Sequence, residues 1–512
     1  MESNFSSQIL VPLLKSIRQY ASHTAFNIGG KEYTYLQLGE RISSARHLLR
    51  QYRDVEQIAA LAIHDDIDTY ASIFALWMEG MAYVPLHPNQ PIGRNTNIIN
   101  QVGTSLILDS AAQSPFLTCH FPHDTVIVSS AAGGSVTDGS ELLEEWVEVT
   151  DDQLAYILFT SGSTGTPKGV TISRCNVAAF MDSFWKTGIQ IDHTDRCLQA
   201  FDLTFDVSVQ SYLVALTRGA SLFTVPYGTV KYLYVAQLIQ EQGITFGAMA
   251  PSMLTYLRPY FQELDATSLR ACILTAEACP IDLMEDWFKC AVNTDIYDFY
   301  GPTEATIYCT YYKLSRNQEN LSTNGIISIG RPLANIHAII VAEDGSIIND
   351  GSKGELCISG DQVTPGYWNN REKNAEAFFE MEVEGVRRRY YHTGDLCYRH
   401  SSGNIMYCGR IDQQAKIQGF RVELGEIEYH AREFSGRAFR AVAIPFLNAS
   451  SLTEIALFVE CPATDPAPLL AYLRSKLPGY MVPTQVFYRE AFPLNASDKI
   501  DRHRLKSEIL VK

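Results

Sequence analysis

The sequence predicts an α/β chain: a large N-terminal domain of mostly parallel sheets flanked by helices, a small β-barrel subdomain after it, and a small α+β domain at the C-terminal end. Three observations carry this expectation. Short apolar runs of strand length alternate with helical stretches through the first three hundred residues, the pattern of parallel strands joined by crossover helices. From Ile329 onward short strands and turns dominate, at Ile339 to Val341, Gly354 to Ser359, Arg388 to Tyr391 and Ile405 to Tyr407, which suits a small barrel. At 512 residues and 46% hydrophobic, the chain exceeds what one core ordinarily supports, so two or more domains sharing a cleft are expected.

Composition narrows the class. A net charge of −16 and a pI near 5.2 argue against a nucleic-acid surface and for an acidic cytosolic protein. The 11 cysteines are scattered without a Cys-x-x-Cys pair, as reduced thiols would be, and no zinc site suggests itself. The N-terminal stretch MESNFSSQILVPLLKSIRQ lacks a basic leader with an unbroken apolar core and reads as an amphipathic helix. The most apolar later segment, Tyr70 to Leu86, is interrupted by Glu79 and Gly80, so no membrane span is expected and cytoplasm is the simplest compartment.

Taken in order, the first helix is followed by a hairpin over Phe26 to Tyr35, turned at Gly29-Gly30, and a helix from about Leu36 to Tyr52. A strand at Ile58 to Ile63 leads to a helix ending in Trp77-Met78-Glu79-Gly80, where packing and not chemistry is expected. Strands near Leu106 and Val126 continue the alternation, and the Gly/Ser-rich stretch Ser129 to Ser140 reads as a surface loop. The buried run Tyr156 to Phe159 then breaks into Thr160, Ser161, Gly162, Ser163, Thr164, Gly165, Thr166, Pro167, Lys168 and Gly169. Glycines let backbone N–H groups approach an anion, hydroxyls donate to its oxygens, and Lys168 adds charge, so this loop is expected to hold phosphate. It lacks the Gly-x-x-x-x-Gly-Lys-Ser/Thr order of a P-loop. Further on, Asp206 lies in an apolar stretch where a carboxylate is costly to bury without a partner; capping a helix is its plainer reading. A helix around Val235 to Gln242 and a strand at Ile244 to Ala250 precede Pro251-Ser252, and Ala271 to Leu274 is a buried strand ending in the turn Thr275-Ala276-Glu277.

The loop, together with Tyr297-Asp298-Phe299-Tyr300-Gly301-Pro302-Thr303-Glu304, Gly354 to Gly360, Tyr391-His392-Thr393-Gly394-Asp395, Gly409-Arg410-Ile411-Asp412 and Leu477 to Pro483, resembles the AMP-forming (adenylate-forming) ligases. That superfamily comprises acyl-CoA synthetases, luciferases and peptide-synthetase adenylation domains, and the resemblance covers essentially the whole chain. It implies domains at 1–409, a hinge at 410–412 with Asp412 the pivot, and a mobile lid at 413–512 that rotates between half-reactions. It also implies ATP and Mg²⁺ as cofactors. The Thr160 to Lys168 loop is expected to hold the β- and γ-phosphates, and Thr303 to touch the α-phosphate. Glu304 is expected to hold Mg²⁺, a hard cation needing oxygen ligands. Ala276, Glu277, Asp298, Phe299, Tyr300 and Gly301 should frame the adenine, with Asp298 where the family usually has Asn. Asp395 should accept the ribose hydroxyls and Arg410 lie close to the nucleotide. His392 reads as a surface residue. Lys499, in Asn495-Ala496-Ser497-Asp498-Lys499-Ile500-Asp501-Arg502, should bridge the substrate carboxylate and α-phosphate during adenylation, although Ser497-Asp498 stand where Asn-Gly is usual. For thioester formation the hairpin from Lys416 to Gly419 should replace it.

The substrate pocket maps onto Asp206, Val207, Gln210, Ala248, Leu274, Ala276, Phe299, Ile307 and Tyr308. Asp206 matches the aspartate that binds an amino acid's α-ammonium, and Phe299 and Tyr308 leave room for a small side chain, although Ala248 and Ala276 open some of it. The leading expectation is a small amino acid, D-alanine first, activated to aminoacyl-AMP with release of pyrophosphate. Transfer to a phosphopantetheine thiol follows. Because no carrier segment follows Lys512, that thiol is expected on a separate carrier protein. The chain resembles the D-alanine:carrier-protein ligases in its Tyr-Gly-Pro-Thr-Glu-Ala-Thr run, yet Leu274-Thr275-Ala276-Glu277 departs from their usual Cys-Gly-Glu. A stand-alone peptide-synthetase adenylation enzyme for another amino acid stands beside it, followed by an acyl-CoA synthetase and a catalytically dead nucleotide-binding scaffold.

Overall fold

The computed structural model describes residues 4–111, 116, 121, 125–131, 145–162, 165–412, 414–435, 439–493 and 500–509. By its internal contacts the chain forms two compact units. One comprises Met1–Pro88, Ile99–Leu158 and Gly169–Gly409; the other comprises Asn89–Ile98, Phe159–Lys168 and Arg410–Lys512.

The first unit carries two large sheets. In the seven-stranded one, Ile58–Ala62, Ala82–Leu86, Leu106–Asp109, Val126–Ser129 and Leu154–Thr160 run parallel, and Gly366–Tyr367 closes one edge antiparallel to Lys168–Ser173. Every residue of Ala82–Leu86 and of Leu106–Asp109 is buried, as in strands covered on both faces. In the nine-stranded sheet, Thr24–Ile28, Ser221–Thr224, Arg196–Gln199, Phe246–Met249, Ala271–Leu274 and Asp295–Tyr300 are parallel neighbours, with antiparallel strands at both edges. The expected first hairpin forms one of those edges, and Gly29 and Gly30 both take the positive φ that its two-residue turn requires.

One apolar core runs through both sheets. The helix Ile67–Met78 is buried almost all round, and its Trp77 donates Nε1–H to the Ala155 carbonyl at 2.8 Å. At its end the Glu79 carboxylate, fully buried, takes Arg46 at 2.7 Å and Arg53 at 2.5 Å, with Arg50 at 3.6 Å. The strands expected as a barrel form a five-stranded antiparallel sheet in which Val386–Arg399 pairs with three neighbours. Its ladder branches at that long strand, and no closing pair is present among the described residues. This strand is 14 residues long and pairs with different neighbours along its length, with a register shift opposite Glu355 and Cys357.

In the second unit, Ala441–Leu447, Thr453–Glu460 and Gln485–Arg489 form a three-stranded sheet, and Ile427, Leu457, Leu473 and Met481 lie in the core beneath it. The strands Gln414–Ile417 and Phe420–Glu423 make a separate hairpin, its turn formed by Gln418 and Gly419 at positive φ. Among the described residues no helix is long and apolar enough to cross a membrane. From residue 132 to 140 the stretch read as a surface loop lies outside the described residues.

Candidate active site

In the first unit the expected pocket residues arise from three adjacent parallel strands. Ala248 pairs with Ile273, Met249 with Leu274, and Leu274 with Asp298, so Ala248, Leu274 and Asp298 fall near the carboxyl ends of neighbouring strands, the edge where open α/β sheets place ligands. The chain then leaves the sheet through Ala276 at φ +69°. Glu277 accepts the Ser252 N–H at 2.7 Å, so this carboxylate holds the first turn of the helix Pro251–Leu257.

The strand Asp295–Tyr300 continues into Gly301, where a side chain would meet the Ile307 carbonyl at 2.6 Å; only glycine fits there. Thr306 and Ile307 both take positive φ, a strained reversal that a β-branched residue adopts only when its surroundings impose it. This reversal brings Tyr308 back against Phe299, ring centroids 5.0 Å apart. The Tyr308 hydroxyl donates to Gln210 Oε1 at 3.4 Å and shares a hydrogen bond with the Thr275 side chain. Gln210 Nε2 is buried with no hydrogen-bond partner. Phe299, Tyr308 and Gln210 are thus brought together, and Val207 lies on the same helix as Gln210.

Asp206 is the first residue of the helix Asp206–Leu216, and the cap position before it belongs to Phe205, so its side chain is not spent as the helix cap. It is 7% exposed. Burial, with the nearby charge of Glu304 adding to it, pushes its carboxyl up to about 7; the Thr303 hydroxyl and backbone N–H groups oppose that rise. Burial, the Thr303 hydroxyl, two backbone N–H groups and the Glu304 charge are the largest influences on it among the described residues. Glu304, wholly buried on the short turn Thr303–Ala305, accepts the Tyr367 hydroxyl at 2.7 Å. Two buried carboxylates side by side make a pocket that favours positive charge. The oxygen donors here also suit Mg²⁺, which commonly takes one or two carboxylates and completes its shell with substrate phosphates and water.

Asp395, 2% exposed, accepts the Tyr300 hydroxyl. Thr393 Oγ1 takes the Asp395 N–H at 3.1 Å and donates to the Leu356 carbonyl. Close by, His392 is half-buried and not simply a surface residue: its Nδ1 lies 2.8 Å from Glu355 and 3.7 Å from the Cys357 sulfur, and its ring packs on Phe379.

In the second unit Ser161, Gly162 and Lys168, three of the residues expected to hold phosphate, are already engaged. The strand ends at Thr160, whose hydroxyl is buried without a partner. Ser161 Oγ donates to the Arg421 carbonyl at 3.0 Å and accepts the Glu423 N–H at 2.9 Å. The Gly162 N–H donates to Glu426 Oε2 at 3.2 Å, Arg94 reaches Glu426 Oε1 at 3.2 Å, and Lys168 Nζ lies 3.7 Å from Glu423. Gly165 (φ +80°) sits under the Tyr429 ring, where a side chain would come within 2.4 Å of Cδ1. Arg410 folds onto Asp412 and donates to Gln414 at 2.7 Å. Lys416 stands in the hairpin opposite Arg421, next to the Gly419 turn. Ser163, Thr164 and Lys499 lie outside the described residues. Sequence reasoning missed Tyr367, Glu426 and Tyr429; Tyr367 was visible only as part of a structural Gly-Tyr-Trp run, and the other two carry no local signal at all.

Comparison with known proteins places the chain in a family. Residues 13–368 match the AMP-binding enzyme family. Zwittermicin A synthase ZmaJ of Bacillus cereus is 32% identical over 479 residues, covering 92% of this chain and 89% of its own. Tyrocidine synthase 1 of Brevibacillus parabrevis is 31% identical over 498 residues, which make up 95% of this chain and 44% of that protein. The chain thus spans less than half the length of that synthetase. Among solved structures, the Vibrio cholerae adenylation domain AlmE, in complex with glycyl-adenosine-5'-phosphate, superposes with a TM-score of 0.83 at 26% identity, covering 99% of this chain and 98% of its own.

Proposed function

The chain belongs to the AMP-binding enzyme family, and from that premise we propose that it is an AMP-forming ligase that activates a small amino acid to its aminoacyl-AMP and passes it to the phosphopantetheine thiol of a carrier protein. The observation that carries the reading is the buried pair Asp206 and Glu304, two carboxylates close enough for the charge of one to raise the other. A substrate α-ammonium on Asp206 supplies one positive charge. Glu304 is the residue to hold Mg²⁺, which when bound neutralises the ATP phosphates.

The reaction is attack by the substrate carboxylate on the α-phosphorus of ATP: the new C–O–P bond forms as the bond to pyrophosphate breaks. Catalysis of such a step is mostly positioning and charge stabilisation. Asp206 anchors the amino group, and Thr303, bonded to it, stands beside the reacting phosphate. Asp395 exchanges its Tyr300 donor for the ribose hydroxyls. Ser161, Gly162 and Lys168 hold the β- and γ-phosphates, and Lys499 bridges carboxylate and α-phosphate. We take 1–409, 410–412 and 413–512 as large domain, hinge and lid for this chemistry.

The Phe299–Tyr308 contact, with Gln210 bonded to the Tyr308 hydroxyl, supports a small substrate. The glycyl adenylate seen in AlmE points the same way. D-alanine heads the list, with glycine and other small amino acids next. The test is amino-acid-dependent pyrophosphate release with Mg-ATP across the L-amino acids, glycine, D-alanine and simple acyl acids. A response confined to small amino acids is expected; one confined to acyl acids removes Asp206 from its role.

A further inference from the structure

We propose that Glu426 is an internal occupant of the phosphate loop, a carboxylate that sits on the Gly162 N–H and must be displaced when the phosphates of ATP bind. The inference rests on the proposed role of the loop and deepens it.

The geometry is specific. An anion-binding loop offers backbone N–H groups, hydroxyls and a cation, and any buried carboxylate presented to it satisfies the same donors. The segment from Arg421 to Glu426 meets three of them. Gly162 N–H donates to Glu426, Lys168 faces Glu423, and the Ser161 hydroxyl is spent between the Arg421 carbonyl and the Glu423 N–H. Glu426 is 1% exposed, and Arg94 fixes its second oxygen at 3.2 Å. The fit is also steric: Tyr429, one turn further along the helix Leu424–Phe434, packs on Gly165 so closely that no side chain is possible there. Gly162 is equally constrained, since a side chain would lie 2.0 Å from the Thr166 carbonyl.

Arg94 and the Gly162 N–H favour the Glu426 carboxylate, while burial and the charge of Glu423 oppose it. A triphosphate brings more negative charge to the same donors, and repulsion between it and Glu426 makes the two occupancies exclusive. Departure of pyrophosphate restores the donors to Glu426. The loop therefore exchanges an external anion for an internal one at each turnover, and the affinity for ATP is reduced by the fraction of molecules in which Glu426 occupies it.

The test compares Mg-ATP, pyrophosphate and AMP binding by calorimetry in the full chain and in Glu426→Gln, Glu426→Asp and Lys168→Ala. AMP lacks the β- and γ-phosphates and serves as the internal control for folding and for the rest of the nucleotide site. Glu426→Gln removes the charge and Glu426→Asp shortens its reach, so either variant is expected to tighten ATP and pyrophosphate about three- to tenfold with AMP unchanged. Lys168→Ala is expected to weaken ATP and pyrophosphate but not AMP. If Lys168→Ala weakens ATP while both Glu426 variants bind it no tighter than the parent, Glu426 is not a competitor and the inference fails alone. If Lys168→Ala leaves ATP and pyrophosphate unchanged, the loop does not hold those phosphates and both readings fall.

Discussion

The Thr303 side chain donates to the Asp206 carboxylate and so ties the turn that carries Glu304 to the first turn of the helix Asp206–Leu216. Elements far apart in the chain are thereby held in one buried polar group.

Asp206→Asn keeps the shape and removes the charge. Losing one partner of a buried charged hydrogen bond costs about 2–5 kcal/mol, so kcat/KM for the amino acid should fall on the order of a hundredfold or more. ATP affinity, measured without amino acid, should hold. A variant that activates its amino acid at the parental rate excludes the ammonium assignment.

The carboxyl of Asp206, pushed up to about 7, gives two pH effects of opposite sign. Ammonium binding needs the carboxylate, so kcat/KM for the amino acid should rise with pH through about 7. Stability runs the other way. The folded protein binds this proton more tightly than the unfolded chain, whose Asp titrates at about 3.9, so the contribution is full below that pH and lost as pH rises through about 7. Asp206→Asn should therefore flatten the fall in melting temperature between about pH 4 and pH 7.

Removing the charge of Glu304 should act at a distance as well as on the metal. Glu304→Gln is expected to raise the Mg²⁺ concentration needed for half-maximal pyrophosphate release. Because the Glu304 charge helps to raise Asp206, the acid limb of the pH profile should also move to lower pH. An unmoved limb would mean the two carboxylates do not sense one another.

Far from this group, Glu79→Ala tests the core. It would leave Arg46, 1% exposed, without its buried partner, and breaking such a pair costs about 3–5 kcal/mol. Thermal melting should show the loss directly.

The sheets were legible because their strands are short, wholly apolar runs set between helices, as at Ala82–Leu86 and Ala271–Leu274. The hairpin turns were legible from Gly29-Gly30. Asp206 announced itself as a carboxylate in an apolar stretch. Other features depend on tertiary placement. Nothing local at Glu426 shows that it will meet Gly162, 264 residues away, and nothing local at Glu277 shows that it will accept the Ser252 N–H. Glu79 looked like a break in an apolar helix. Its arginines at positions 46, 50 and 53 recur at helical spacing, a stripe that becomes meaningful only once the carboxylate is seen at its centre.

The hairpin of Thr24–Ile28 and Lys31–Thr34 joins the nine-stranded sheet through Ser221–Thr224, a strand that follows nearly all of the seven-stranded sheet in the chain. During synthesis these first strands leave the ribosome long before their neighbour exists. At roughly 5–20 residues per second the hairpin waits on the order of ten seconds or more with an unpaired edge. In that interval the Lys31–Thr34 strand covers one side of Thr24–Ile28, and its exposed Lys31 and Glu32 put charge on the hairpin's other edge, which discourages pairing with other chains there.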